Sequence, residues 1–135
     1  DRDTVGLMIL TNDGQTAHDL LSPKHHVTKE YAFECDEPLP DGTEERFAES
    51  ITLADGYECK PAILVCNPDR RGGRITLTEG KYHQIKRMVA ASGSHVTYLE
   101  RISFADIPLD RSLSRGEWRY LTEKEEEQLL KMAGV

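Results

Sequence analysis

Three cations, Lys81, Lys86 and Arg87, crowd the stretch Glu79-Gly-Lys-Tyr-His-Gln-Ile-Lys-Arg-Met88. A cluster of this kind either faces solvent or holds an anion. Further cations gather at Arg70, Arg71 and Arg74, and at Arg101, Arg111, Arg115 and Arg119. The carboxylates are segregated from them: Glu123, Glu125, Glu126 and Glu127 crowd one segment, and Asp36, Glu37, Asp41, Glu44, Glu45 and Glu49 another. A formal net charge of −7 argues against a general polyanion binder, because phosphate contacts need concentrated positive charge. It is compatible with a local basic face on an acidic body. Other reactive side chains say less. His25 and His26 are adjacent, and neighbours on an extended backbone point to opposite faces; His18, His83 and His95 are scattered, so no metal site is expected. Cys35, Cys59 and Cys66 are odd in number and lack Cys-x-x-Cys spacing, which reads as buried free thiols in a reducing cytoplasm.

The elements that must position these groups follow from the hydrophobic period. Ile75 and Leu77 alternate with Arg74, Thr76 and Thr78, the repeat of a half-buried strand, and Glu79-Gly80 breaks it. From Tyr82 the repeat lengthens. Tyr82, Ile85, Met88 and Val89 share one helical face, His83, Lys86 and Arg87 another, and Gly93 marks the end. Lys81 then falls at the helix start, a poor place for a cation against the macrodipole. Upstream, Val5 to Leu10 is an unbroken apolar run suited to a strand buried on both faces, followed by a turn at Asn12-Asp13-Gly14. Thr16 to Leu21 reads as a brief helix stopped by Ser22-Pro23. Lys29, Tyr31 and Phe33 share one face of a strand, with Glu30 and Ala32 on the other.

Asp41-Gly-Thr43 supplies an N-cap residue for a short helix anchored by Phe47. The apolar run Ala62 to Val65 leads into a hairpin loop from Asn67 to Gly73 that delivers the chain to Ile75. His95 to Arg101 alternates as a further strand, and Thr122 to Glu125 is a capping box before a last helix. Strands interspersed with a few short helices predict an α+β fold with a largely antiparallel or mixed sheet. At 135 residues, 38% hydrophobic and 30% charged, the chain has the size and composition of one domain, and no apolar run approaches membrane-spanning length.

The wording of particular stretches adds to this. Glu79-Gly-Lys-Tyr-His-Gln-Ile-Lys-Arg-Met88 resembles the third motif of pseudouridine synthases, in the branch that acts on single sites in ribosomal RNA. Asp1, Thr4, Gly6 and Leu7 match the family's catalytic motif, and Thr11-Asn-Asp-Gly14 the turn that follows it. Lys29-Glu-Tyr31 is similar to its Lys-x-Tyr motif. The segment from Arg101 to Thr122 resembles its closing pattern, with Phe104 and Ala105 standing where Ile and Gly are usual. The resemblance implies that residues 1–135 form a single domain, the later part of a pseudouridine synthase catalytic domain, without the Gly-Arg-Leu, the small RNA-binding domain and the first part of the sheet that come earlier in family members.

It also implies an activity: isomerisation of one uridine of ribosomal RNA to pseudouridine. Asp1 is then the catalytic carboxylate, Lys86 the cation paired with it, with Arg87 as second choice, and Tyr31 the ring against the target base. Lys29, Arg74, Lys81, Arg87 and Arg101 are the candidate RNA contacts, with Arg70, Arg71 and Arg119 as further candidates for phosphates. The rearrangement brings in no outside atom, so neither metal nor cofactor is implied. Lys60-Pro61-Ala62 and Ser22-Pro-Lys-His-His26 are most similar to enzymes of the small ribosomal subunit. An enzyme of the large subunit, or an inactive RNA-binding fragment, is the alternative. A cytoplasmic monomer partnered by ribosomal RNA is expected.

Overall fold

The computed structural model describes residues 1–134. A six-stranded sheet runs in the order β1-β5-β2-β4-β3, with β6 paired to β5. Its strands are β1 (Val5–Gly6), β2 (Lys29–Cys35), β3 (Ile63–Cys66), β4 (Gly72–Leu77), β5 (Val96–Phe104) and β6 (Ile107–Pro108). Among the described residues only the β1 to β5 pairing is parallel. The α+β class with a mixed, mainly antiparallel sheet is thus the observed one.

Alternation dictates what the sheet buries. Phe33, Leu64, Ile75, Leu77 and Leu99 turn one face inward onto α2 (Thr43–Glu49) and α3 (Gln84–Ala91), where Phe47, Ile85, Met88 and Val89 close the main core. Phe47, Met88 and Val89 have no accessible surface, and burying each such side chain contributes about 1.5–3 kcal/mol. A second cluster, Leu20, Val27, Phe104, Ile107, Leu129 and Ala133, joins α1 (Gly14–Leu21) to α4 (Glu123–Met132) at one end of the sheet. The other sheet face carries Arg74 on β4 and, on the edge strand β3, the exposed Ile63 and Val65.

Capping follows the sequence closely at two helices. Asp13 accepts from the backbone of Gln15 and Thr16 at the start of α1, so the expected turn at Asn12-Asp13-Gly14 serves as a helix cap. Thr122 and Glu125 form the expected capping box of α4. At α2 the cap position belongs to Gly42, and Asp41 makes no capping bond.

Two expectations are corrected. Val5 to Leu10 is not a strand buried on both faces: pairing stops at Gly6, and Met8 and Leu10 are 74% and 81% exposed. An apolar run without alternation leaves its partner unspecified, and among the described residues nothing pairs with it beyond Leu7. The helix of the cationic stretch also begins later than its period implies, at Gln84, because His83 adopts a left-handed conformation with φ of 49°. Tyr82 consequently leaves the apolar face and lies 75% exposed, stacked on the His83 ring at 3.9 Å.

The candidate active site

Asp1 is placed by β1. Gly6 packs so closely on β5 that a Cβ there would come within 2.3 Å of the Arg101 carbonyl, and its φ of +101° disfavours other residues. The ladder continues through Leu7, whose N–H donates to the Arg101 carbonyl at 2.8 Å, while Arg101 Nε donates to the Leu7 carbonyl at 2.9 Å. The short strand therefore fixes the start of the chain against the middle of the longest strand. The Asp1 carboxylate, 14% exposed, faces the first turn of α3: Oδ2 lies 3.6 Å from Lys86 Nζ, and Oδ1 lies 3.2 Å from His83 Nε2. Lys86 also donates to Asp3 Oδ1 at 2.5 Å, which holds the Asp3 carboxyl below its ordinary range.

The loop before α3 is tied down from the other side. The Glu79 carboxylate accepts from the Tyr57 hydroxyl, from the Lys60 N–H at 2.7 Å and from Gln84 Nε2 at 3.0 Å. Gln84 Oε1 in turn accepts from the Lys81 N–H at 2.9 Å. The bond to Glu79, reinforced by burial, pushes the Tyr57 phenol up to about 12, so it stays a hydrogen-bond donor at neutral pH. This brace takes up a buried carboxylate, and its members, Tyr57, Lys60, Glu79 and Gln84, are too scattered along the chain to form a sequence motif.

Between these walls lies a cavity of about 570 Å³. Asp1, Lys29, Tyr31, Lys81, His83 and Arg101 are among the residues lining it. Tyr31 lies directly across from Arg101 in the ladder, next to an irregularity between Glu30 and Tyr31 that re-aims the strand locally. Lys29 is buried, and burial followed by the nearby Arg101 guanidinium pulls its ammonium below the ordinary lysine value.

Of the residues singled out in the sequence, Asp1, Tyr31, Lys29, Lys81 and Arg101 meet around this cavity, and Lys86 reaches Asp1 from α3. Two do not join them. Arg74 is on the opposite sheet face, 3.6 Å from Glu30, and Arg87 turns away to bond Asp55 at 2.6 Å and the Tyr82 carbonyl at 3.1 Å. Arg70 and Arg119 are engaged within the protein, by Glu44 and by Asp110 and Glu125 respectively. His83 and Asp3 went unremarked as partners of the site. The period groups His83 with Lys86, but its contact with Asp1 depends on a left-handed backbone that no period encodes.

The site thus sets the Asp1 carboxylate, paired with Lys86 and His83, at a cavity that the Tyr31 ring also lines. The family model for RNA pseudouridylate synthase matches residues 1–91, and the chain belongs to this family. It is 45% identical over 127 residues to the ribosomal small subunit pseudouridine synthase A of Escherichia coli (strain K12), an alignment covering 93% of this chain and 54% of that protein. To the protein of the same description from Haemophilus influenzae it is 44% identical over 132 residues, covering 97% and 56%. A solved structure, described as a crystal structure of pseudouridylate synthase, superposes with a TM-score of 0.90 at 43% identity, over 96% of this chain and 56% of the other. The chain spans about half the length of the curated relatives it matches.

Proposed function

We propose that the protein containing this chain converts one uridine of small-subunit ribosomal RNA to pseudouridine in the cytoplasm, with Asp1 as the catalytic carboxylate. The observation that carries this reading is the Asp1 carboxylate, 3.6 Å from Lys86 and 3.2 Å from His83, at a cavity that also contains Tyr31. The descriptions of the Escherichia coli and Haemophilus influenzae relatives support the choice of RNA.

The chemistry asks for this arrangement. The bond between C1′ and N1 must break, the base must turn, and a bond from C5 to C1′ must form. Asp1 serves either by attacking C1′ or by taking the C2′ proton; both require the ionised carboxylate, which the Lys86 ammonium favours. A stacked uridine cannot present its glycosidic bond, so the base is extruded into the cavity, and the Tyr31 ring replaces part of the lost stacking. Tyr31 also helps remove the C5 proton. Lys81 and Arg101, at the same cavity, then meet the RNA backbone.

Two measurements test the reading. Deleting the gene should erase one pseudouridine from small-subunit ribosomal RNA. Replacing Asp1 by Asn in the gene product should lower turnover by at least about 10²–10⁴-fold while RNA affinity stays near the parent's. A strain with every small-subunit pseudouridine intact, or an active Asn variant, would contradict it.

A further inference from the structure

Lys29 is the group in the cavity with no evident use. It is 7% exposed, lines the cavity two positions from Tyr31 on the same strand, and its ammonium makes no hydrogen bond or ion pair among the described residues. Its Nζ rests against Gly80, where an added Cβ would come within 3.3 Å of it, so the Glu79-Gly80 break in the sequence leaves room for the ammonium. The carboxylates nearby are committed elsewhere: Glu79 to Tyr57, Lys60 and Gln84, and Asp1 to Lys86 and His83. A buried lysine whose ammonium lacks a carboxylate partner and opens onto a cavity points to an anionic visitor.

We propose that Lys29 contacts the uracil ring and holds the negative charge the base carries while its glycosidic bond is open. This rests on the reading of the site as a uridine isomerase. When C1′–N1 breaks, both electrons stay on the base, whether Asp1 bonds to C1′ or removes the C2′ proton. The detached base is an anion whose charge is shared by N1, O2 and O4. It turns, C5 bonds to C1′, the C5 proton leaves to a base, and N1, now free of the sugar, takes up a proton. Either the ester to Asp1 breaks or C2′ regains its proton, so atoms and electrons balance. A half turn about the N3 to C6 axis exchanges N1 with C5 and O2 with O4. A cation fixed beside one carbonyl position therefore faces one carbonyl oxygen before the turn and the other after it, and stabilises the anion throughout.

The test is Lys29→Met in the gene product, assayed by single-turnover pseudouridine formation. The rate should fall by about 10²–10³-fold, the effect of losing one donor to a developing oxyanion, with RNA affinity and its salt dependence unchanged. An unchanged rate overturns the proposal, and so does weaker binding with a shallower salt slope at unchanged rate, which would make Lys29 a phosphate contact. Should the Met variant melt below the parent, Lys29→Arg and Lys29→Gln decide: recovery of rate by Arg alone supports the role, and equal losses overturn it. A parent that makes no pseudouridine in ribosomal RNA fails the reading of the site itself, whereas an active parent with an equally active Met variant fails only Lys29.

Discussion

Lys86 divides its charge between two carboxylates, and the nearer is not the one proposed for catalysis: Asp3 lies at 2.5 Å and Asp1 at 3.6 Å. Asp3 is largely exposed, so its ion pair contributes little to stability. Its effect is to compete with Asp1. Asp3→Asn should therefore keep or raise turnover, whereas Lys86→Met should lower it by about 10²-fold or more, since it leaves Asp1 without its cation. In the Lys86→Met variant the Asp3 carboxyl should also titrate higher than in the parent, which NMR of the side-chain carboxyl would follow, because the hydrogen bond from Lys86 is the main cause of its lowered value. At this scale the sequence was readable through motif wording alone. Asp1, Tyr31 and Lys86 stand in recognisable strings, while the parts of Asp3 and His83 depend on distances and on one left-handed residue that no string encodes.

Among the elements, strands with clean alternation were readable in advance. Lys29 and Phe33 on β2 and Ile75 and Leu77 on β4 are buried as their period assigns, with Tyr31 between the first two half-buried. The start of α3 and the course of residues 7–10 were not, since both depend on tertiary partners. β1 shows how little structure places the carboxylate: two residues, held by parallel pairing to Glu100 and Arg101. Gly6→Ala should break that pairing, because the added methyl meets the backbone of Arg101. Turnover should collapse, while the main core around Phe47 and Met88 keeps its amide protection in hydrogen exchange. The brace at Glu79 acts on the opposite wall. Glu79→Gln leaves one of its donors facing another donor and should destabilise the protein by about 1–3 kcal/mol, measured by urea unfolding.

For the molecule as a whole, the acid surplus and the cationic cavity occupy different ground. Several of the acids are internal clamps. Glu44, beside Arg70, and Glu125, beside Arg119, are held at about 2, as is Asp110 through Ser112 and then Arg119. Each is lowered in the folded chain, so its contribution is complete above the ordinary carboxylate values, 3.8 for Asp and 4.5 for Glu, and is lost as pH falls through about 2. The melting temperature should decline across that window, and Arg119→Met should make the decline shallower.

The bare outer side of β3 has a consequence for handling this chain. Ile63 and Val65 sit on a terminal strand whose outer main-chain groups pair with no strand among the described residues, the combination that lets one copy act as a template for the next. Concentrated samples should self-associate through that edge, and Val65→Lys should raise the concentration at which light scattering first increases.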